Sequence, residues 1–366
     1  MVSSTLSQKI HLAQDDSEAL KKWIKAQALE LGFSDCVIAK PDAQAELERF
    51  KEYLKRGYHG DMKFLEENLE KRADPTLRIP GTKSIICVRM NYLVETPKPR
   101  YIPDEPNAAI IARYARGRDY HKVMRGRLKT LAAKIREKVG DFEARPFADS
   151  APVFEKSLAE NAGMGWTGKH TLLIHKSAGS FFVLGELFTS LDLPFDGPTT
   201  KHCGSCTACI EICPTQAIVE PYMLDARKCI AYLTIEYKGI ISEELRRGIG
   251  NRVFGCDDCQ LICPWNSFAK KATIEDFNPR HGLDQVTLLD LWQWDEQTFL
   301  SNTEGSPLRR TGYQSFMRNI AIGLGNAPFS HQIIEILKQH YDLHDEIVQV
   351  HIDWAIQEQM IKSGVV

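Results

Sequence analysis

Seven of the chain's ten cysteines form two runs, each closing on Cys-Pro, with an eighth between them, and no other sequence feature constrains the fold as tightly. The first run is Cys203, Cys206, Cys209 and Cys213-Pro214. Its C-x2-C-x2-C-x3-C-P spacing wraps a [4Fe-4S] cube with three thiolates and sends the fourth to a neighbouring cube, so a second cluster is expected. Cys256, Cys259 and Cys263-Pro264 repeat the end of that pattern without its opening cysteine, and Cys229 is the nearby thiol that can replace it. The crossing rule then predicts Cys203, Cys206, Cys209 and Cys263 on one cluster, and Cys213, Cys229, Cys256 and Cys259 on the other. Soft thiolate suits iron-sulfur iron, and a tight cysteine loop turns backbone N–H groups toward the cluster's negative charge. Structural zinc and disulfides are the competing readings, but zinc usually takes two C-x-x-C pairs with no Cys-Pro ending. Cys36 and Cys87 sit in short apolar runs that read as buried strands, where a lone cysteine is a small apolar side chain.

At 366 residues the chain has room for two or three domains, and 43% hydrophobic with 26% charged residues describes an ordinary globular protein. Met1 to Asp16 is polar, lacking a basic n-region and an apolar h-region, and no stretch approaches the roughly 18 apolar residues that span a bilayer. The expected compartment is the cytoplasm, with no membrane association. There, many cysteines favour metal over disulfide. A formal net charge of -2 advertises no polyanion partner, so any nucleic acid has to be met by a local basic patch.

Helical spacing is expected over Ser17–Leu31, Leu47–Leu54, Met62–Leu69, His121–Val139 and Phe154–Asn161. Strands are expected at Cys36–Ala39, Ser84–Met90, Thr171–His175 and Phe181–Phe188, with a loop marked by Pro97, Pro99, Pro103 and Pro106. Irregular alternation of the two predicts an α+β or α/β layered domain over 1–198, followed by a cluster domain over 199–267. The remainder, 268–366, reads as helical at Leu288–Leu300, Tyr313–Leu324, His331–Tyr341 and Glu346–Ile361.

Gly163 to Lys169 nearly spells a phosphate-binding loop, but position 170 is His where Ser or Thr should hold magnesium. A helix precedes the loop and a strand follows, the reverse of a phosphate cradle. Its clustered glycines suggest instead close backbone approach to something large and flat.

Five separated segments carry a resemblance over nearly the whole chain: Tyr114 to Gly117 with Asp119-Tyr120-His121; Asp149-Ser150-Ala151-Pro152; Gly165 to Lys169; the cysteine pattern; and Gly305 to Arg310 with Arg318-Asn319. Together they resemble the epoxyqueuosine reductase family. The resemblance implies a nitroreductase-like cobalamin domain, a ferredoxin-like domain with two [4Fe-4S] clusters, and a helical C-terminal region. It implies electrons passed from a reducing partner such as flavodoxin or ferredoxin through the clusters to cobalamin, and removal of the epoxide oxygen of epoxyqueuosine at the tRNA wobble position. By motif, Asp149 is the implied proton donor over the corrin. Arg72 is the implied cobalamin-contacting arginine, Ala112, Leu173 and Leu184 line the corrin, and Cys256-Asp257-Asp258-Cys259 lies against it. No D-x-H-x-x-G motif exists, since Asp342-Leu343-His344 lacks the glycine, so the cobalt is expected to have no protein histidine below it.

Reductive C–O cleavage needs low-potential electrons and a proton for the departing oxygen, which one buried carboxylic acid can supply. The apolar flank of Phe147, Ala148, Ala151 and Pro152 is expected to push Asp149 toward its protonated form. The alternative role for Asp149 is a helix N-cap. Lys169 and His170 either hold cofactor amides or phosphate, or end a turn. Arg309, Arg310, Arg318, Arg246, Arg247, Arg252, Lys270 and Lys271 are candidates for backbone phosphates of an anticodon stem, against the ordinary reading of solvated helix faces. Reductive dehalogenation and a plain ferredoxin module are the rival functions; dehalogenases are exported and the ferredoxin would bind no corrin.

Overall fold

The computed structural model describes residues 14–95, 105–149 and 151–364. The loop expected at Pro97, Pro99 and Pro103 therefore lies outside the described residues, as does Ser150.

A four-stranded antiparallel sheet organises the first half, in the order Asp35–Ala39, Ser84–Asn91, Phe182–Thr189, Ala144–Phe147. Every residue of Ser84–Asn91 is buried, because both faces of the sheet are covered. The two-residue period divides them. Ile86, Val88 and Met90 pack with Leu20 and Ile24 of the helix Gln14–Glu30 and with Met124 and Leu128 of the helix Tyr120–Val139. Ile85 and Cys87 face the other way, toward Leu158 and Ala159 of the helix Glu155–Asn161. Cys36 and Cys87 are buried among these apolar residues, as the sequence led one to expect.

Asp119 starts the helix Tyr120–Val139, its side chain accepting the His121 N–H at 3.0 Å, and Gly140 ends it in the left-handed region at φ 84°. Met62–Leu69 does not form one helix. Asn68 takes a left-handed φ of 57°, which separates the 3-10 turn Lys63–Leu65 from the helix Leu69–Ala73. Leu288–Leu300 divides too, into Leu288–Trp292 and Glu296–Asn302, each with its own N-cap, Thr287 and Asp295.

The second half is tied to the first by parallel pairing of Arg252–Phe254 with Ile110–Ile111. One apolar core runs from Ile111 and Phe254 through Ile230 and Leu233 to Phe316, Ile320, Ile352 and Trp354, so the cysteine-bearing segment and the C-terminal helices share it. At its centre the helix Tyr313–Asn326 lies against the helix Glu346–Ser363. The architecture is α+β, with the sheet in the first half and helices dominating the last hundred residues.

Candidate active site and iron-sulfur ligands

The two cysteine runs fold alike. Short helices Ala208–Glu211 and Asp258–Leu261 carry Cys209 and Cys259, the last cysteine of each run follows one turn later, and the two helices lie against each other. Cys203, Cys206, Cys209 and Cys263 surround one cavity of about 80 Å³, closed by His202, Pro264 and Trp265. Burial and then the neighbouring Cys263, Cys203 and Cys206 push the Cys209 thiol up to about 11. Cys259 is held well above the ordinary thiol range by burial, then by Cys229, Cys209 and Cys213. Cys263 thus stands with the first run, and Cys213 and Cys229 lie near Cys259, which also neighbours Cys209. Among the described residues no three His, Cys, Asp or Glu side chains converge on one ion-sized point; the thiols of the first set instead stand around a space. Burial disfavours the thiolate form of Cys209 and Cys259, so a bound iron-sulfur cluster has to supply the positive charge that holds them as thiolates.

Asp149 lies six residues before the helix Glu155–Asn161 and is not its cap; that position belongs to Phe154. It adopts a left-handed φ of 55°, and its N–H donates to Glu155 Oε1 at 2.5 Å. Backbone strain at a non-glycine residue is retained where the surroundings fix it, commonly at functional sites. Tyr120 donates its hydroxyl proton to Asp149 Oδ2, and His121 Nε2 lies 3.4 Å from the same oxygen. His121 Nδ1 is held 2.7 Å from Asp119 Oδ1, so the helix cap also orients the imidazole. The Tyr120 and His121 rings stack at 4.0 Å.

The charge state of Asp149 corrects the sequence expectation. Burial works to raise it, but hydrogen bonds from His121 and Tyr120 and the positive charges of His121 and Arg310 outweigh that and hold the carboxyl below its ordinary range. Burial works to lower His121; the hydrogen bonds to Asp119 and Asp149 win and carry it up to about 9. At neutral pH the pair is imidazolium and carboxylate. The apolar flank was legible, but its effect is outweighed by a histidine and a tyrosine almost thirty residues upstream.

Asp149 is 57% exposed, yet enclosed, because it faces into cavities. Three meet at it. One of about 350 Å³ is lined by Tyr114, Tyr120, Leu173, Leu184, Cys256 and Asp257. One of about 770 Å³ runs past Phe50, Arg72, Phe154, Lys156 and Arg310, and one of about 470 Å³ past Tyr114, His121, Glu236, Arg309 and Arg310. Arg72 sits over the Phe50 ring and donates to the carbonyls of Phe64 and Glu67. Ala112 is buried beneath Gly255, its N–H bonded to Phe254 O at 2.8 Å, and lines none of these cavities. Asp257 accepts from the Arg113 N–H at 2.9 Å, and Asp258 pairs with Arg252 at 2.6 Å, away from the cavity. Lys169 donates to the carbonyls of Gly204 and Cys206, both at 2.8 Å, so it braces the first cysteine loop.

Two further expectations fail. A Cβ on Gly163 would come 2.3 Å from Gly197 O, and one on Gly165 2.2 Å from Ile174 O, so these glycines admit the protein's own backbone and not a flat ligand. Arg318 is fully buried, donating to the carbonyls of Leu233, Tyr237 and Gly239; it is part of the core and out of reach of a phosphate. Arg246 is buried likewise. Arg309, Arg310, Arg247, Lys270 and Lys271 are exposed, with Arg310 paired to Glu236 at 2.8 Å and Arg247 to Glu358 at 2.9 Å. Tyr120, His121, Glu155, Lys156 and Glu186 were not singled out beforehand as active-site groups, although Asp119-Tyr120-His121 carried part of the resemblance.

Residues 202–266 match the family model described as a 4Fe-4S double cluster binding domain, and residues 72–150 match that of epoxyqueuosine reductase QueG, DUF1730. Fold and motif together define an iron-sulfur oxidoreductase. Epoxyqueuosine reductase of Pseudomonas aeruginosa is 48% identical over 95% of this chain and 96% of its own length, and that of Escherichia coli K12 47% over 94% and 91%. The solved epoxyqueuosine reductase of Streptococcus thermophilus aligns with a TM-score of 0.84 at 27% identity, over 93% of this chain and 90% of that one. An epoxyqueuosine reductase solved with an epoxyqueuosine-modified tRNA-Tyr stem loop aligns at 0.80 and 25%, over 93% and 99%. The chain belongs to the epoxyqueuosine reductase family.

Proposed function

We propose that this chain reduces epoxyqueuosine to queuosine in the anticodon loop of tRNA, using cobalamin and two [4Fe-4S] clusters, with Asp149 as the proton donor. The observation that carries the reading is the position of Asp149 where three cavities meet, one of them bounded by Cys256 of the second run. An acid and a cluster ligand thus share one enclosed space, as coupled electron and proton delivery requires.

The donor sets fit these groups. Four thiols around the 80 Å³ cavity suit one cube, and Cys213, Cys229, Cys256 and Cys259 suit the other. The Ala217 N–H directed at Cys213 Sγ, 3.2 Å away, stabilises a thiolate there. The 350 and 770 Å³ cavities share Asp149, Glu155, Lys156 and Leu172 and carry an apolar wall of Phe182, Leu173 and Leu184, which suits a broad flat macrocycle. Cobalamin held by these residues would supply a reducible cobalt for the electrons that C–O cleavage consumes.

The chain's own residues do the rest. Tyr120 and His121 fix Asp149, and the substrate side of the site opens past Arg309 and Arg310, whose charges favour a nucleic-acid backbone. Asp149 rests as a carboxylate, so the proton it delivers must reach it within the catalytic cycle. Displacement of water by substrate removes its solvation and favours that protonation. The reducing partner is a low-potential one-electron donor that meets the exposed Cys206 side of the first cysteine set. No described helix is long and apolar enough to cross a membrane.

The test is anaerobic incubation of the metal- and cobalamin-loaded protein with epoxyqueuosine-containing tRNA and a chemical reductant, followed by nucleoside mass analysis. Queuosine is expected, with Asp149→Asn slowing its formation by about 10²–10⁴-fold at unchanged cluster and corrin content. Unimpaired turnover by Asp149→Asn rejects the assigned donor.

A further inference from the structure

Behind Asp149 lies a second pair of acids that the mechanism above leaves unused. Glu186 is on the central strand Phe182–Thr189, opposite Cys87 on one side and Phe147 on the other, and is completely buried. Neither of its carboxyl oxygens accepts a hydrogen bond from any described N–H or O–H donor outside a carboxyl. What it faces is the carboxyl of Glu155, at the first turn of the helix Glu155–Asn161. Glu155 Oε1 in turn accepts the N–H of Asp149, the residue in the left-handed conformation. One contiguous path of acids therefore runs from the sheet interior to the cavity: Glu186, Glu155, Asp149.

Glu186 is fully buried and Glu155 half-buried at the cavity wall, and two adjacent carboxylates placed so, without a cation between them, strongly disfavour ionising together. A proton held between them supplies the hydrogen bond that Glu186 otherwise lacks. The titratable groups facing the pair are Asp149, Tyr120 and His121 on the cavity side, Cys87 across the sheet and Lys156 on the helix. Lys156 is exposed at the cavity and donates to Thr171 O at 2.8 Å. Burial, then the Asp149 charge, carries Glu155 up to about 8; burial and Glu155 hold Glu186 well above the carboxylate range.

The chemistry requires such a reserve. Converting an epoxide to an alkene breaks two C–O bonds and releases the oxygen as water, consuming two electrons and two protons. A low-potential one-electron donor supplies the electrons in two steps. Asp149 carries one proton at a time and rests without it.

We infer that Glu155 and Glu186 share a buried proton and pass it to Asp149, recharging the donor between the two protonations. The Glu155 O–H bond breaks as an Asp149 O–H bond forms, and water in the cavities that Glu155 lines delivers a replacement proton to Glu155, so that one proton remains between the two glutamates. This rests on the assignment of Asp149 above. Glu186 is a positioning residue that lines none of these cavities, while Glu155 reaches the wall of the 350 and 770 Å³ cavities beside Asp149.

The test uses the holoenzyme, wild type against Glu186→Gln, Glu155→Gln and Asp149→Asn. Glutamine keeps shape and hydrogen bonding but stores no acidic proton. Infrared difference spectra across pH 6–10 should show a protonated-carboxyl C=O band that bleaches near pH 8 in wild type, that is still present but bleaches at lower pH in Asp149→Asn, where the neighbouring charge is gone, and that is lost or shifted in both glutamine variants. Single-turnover queuosine formation should slow by roughly 10²-fold in either glutamine variant at unchanged KM, and lose the alkaline fall of the wild type. A wild type with no such band, or glutamine variants turning over at wild-type rates across the pH range, overturns the proposal. Full activity in Asp149→Asn with the band intact instead overturns the donor assignment and leaves the shared proton standing. Should Glu155→Gln fail to fold, Glu186→Gln, which removes no backbone contact, decides alone.

Discussion

Tyr120 and His121 grip Asp149 from one side through a hydroxyl and an imidazolium, and each favours the carboxylate. Removing the hydroxyl with Tyr120→Phe takes away one of these stabilising bonds, so the Asp149 carboxyl rises toward its ordinary value of 3.8 or above. If Asp149 must be protonated to act, the single-turnover rate in this variant starts its rise toward acid at a higher pH than in wild type. A pH–rate profile checks this. The arginines separate by burial in the same way. Arg318→Ala leaves the carbonyls of Leu233, Tyr237 and Gly239 without their buried donor, a loss of about 1–3 kcal/mol or more, read as a lowered Tm. Arg309→Ala, an exposed position beside the cavity mouth, leaves Tm unchanged and weakens tRNA binding with a shallower salt dependence. Both residues sit in the motifs that carried the resemblance, and sequence spacing alone does not tell which faces solvent.

Elements with a full apolar stripe or a strong cap were legible in the sequence: the helix Tyr120–Val139 with Asp119 at its start, the buried strand Ser84–Asn91, the helix Tyr313–Asn326. Short elements were not. The strand Ala144–Phe147 contains Arg145 and Pro146 and lies at the sheet edge, so neither propensity nor alternation marks it; pairing with Thr189–Glu186 makes it a strand. The meeting of Cys203, Cys206, Cys209 and Cys263 around one cavity follows the ligand spacing, a local property, whereas Glu155 meeting Glu186 depends on a helix packing over a sheet. Close packing also limits what the helix Tyr313–Asn326 tolerates. A Cβ on Gly325 would stand 2.6 Å from Trp354 and 2.9 Å from the Ala355 backbone. Gly325→Ala gains at most about 1 kcal/mol of helix propensity, while overpacking costs about 1–3 kcal/mol. The expected outcome is a lower Tm. For the cysteine helices, Cys263→Ala should cost the cluster shared with Cys203, Cys206 and Cys209, and Cys213→Ala the other one. Iron analysis and paramagnetic resonance of the reduced proteins should show one cluster lost in each, with different residual spectra. Identical residual spectra would sink the crossed arrangement.

At the scale of the whole molecule, the site sits where the two halves of the chain join, and its charges couple folding to pH. Glu155 ordinarily titrates at 4.5 and in the folded protein at about 8; His121 ordinarily at 6.5 and in the fold at about 9. Both folded values are raised, so between the ordinary and the folded value the native state binds more protons than the unfolded chain. Stability therefore falls as pH rises through each of these windows. The Glu155 contribution is complete below pH 4.5 and gone above about 8, that of His121 complete below 6.5 and gone above about 9. Asp149, held low, acts in the opposite direction, its contribution present above 3.8 and lost only toward stronger acid, outside that range. Melting curves of the cluster-loaded protein should therefore show Tm declining from pH 7 to pH 9. Glu155→Gln removes one of these proton-binding groups and should flatten the decline up to about pH 8, while His121→Gln flattens the portion nearest pH 9. A Tm that stays level across this range in the wild type contradicts a buried, protonated glutamate beside an imidazolium, and with it the charge arrangement that fixes Asp149.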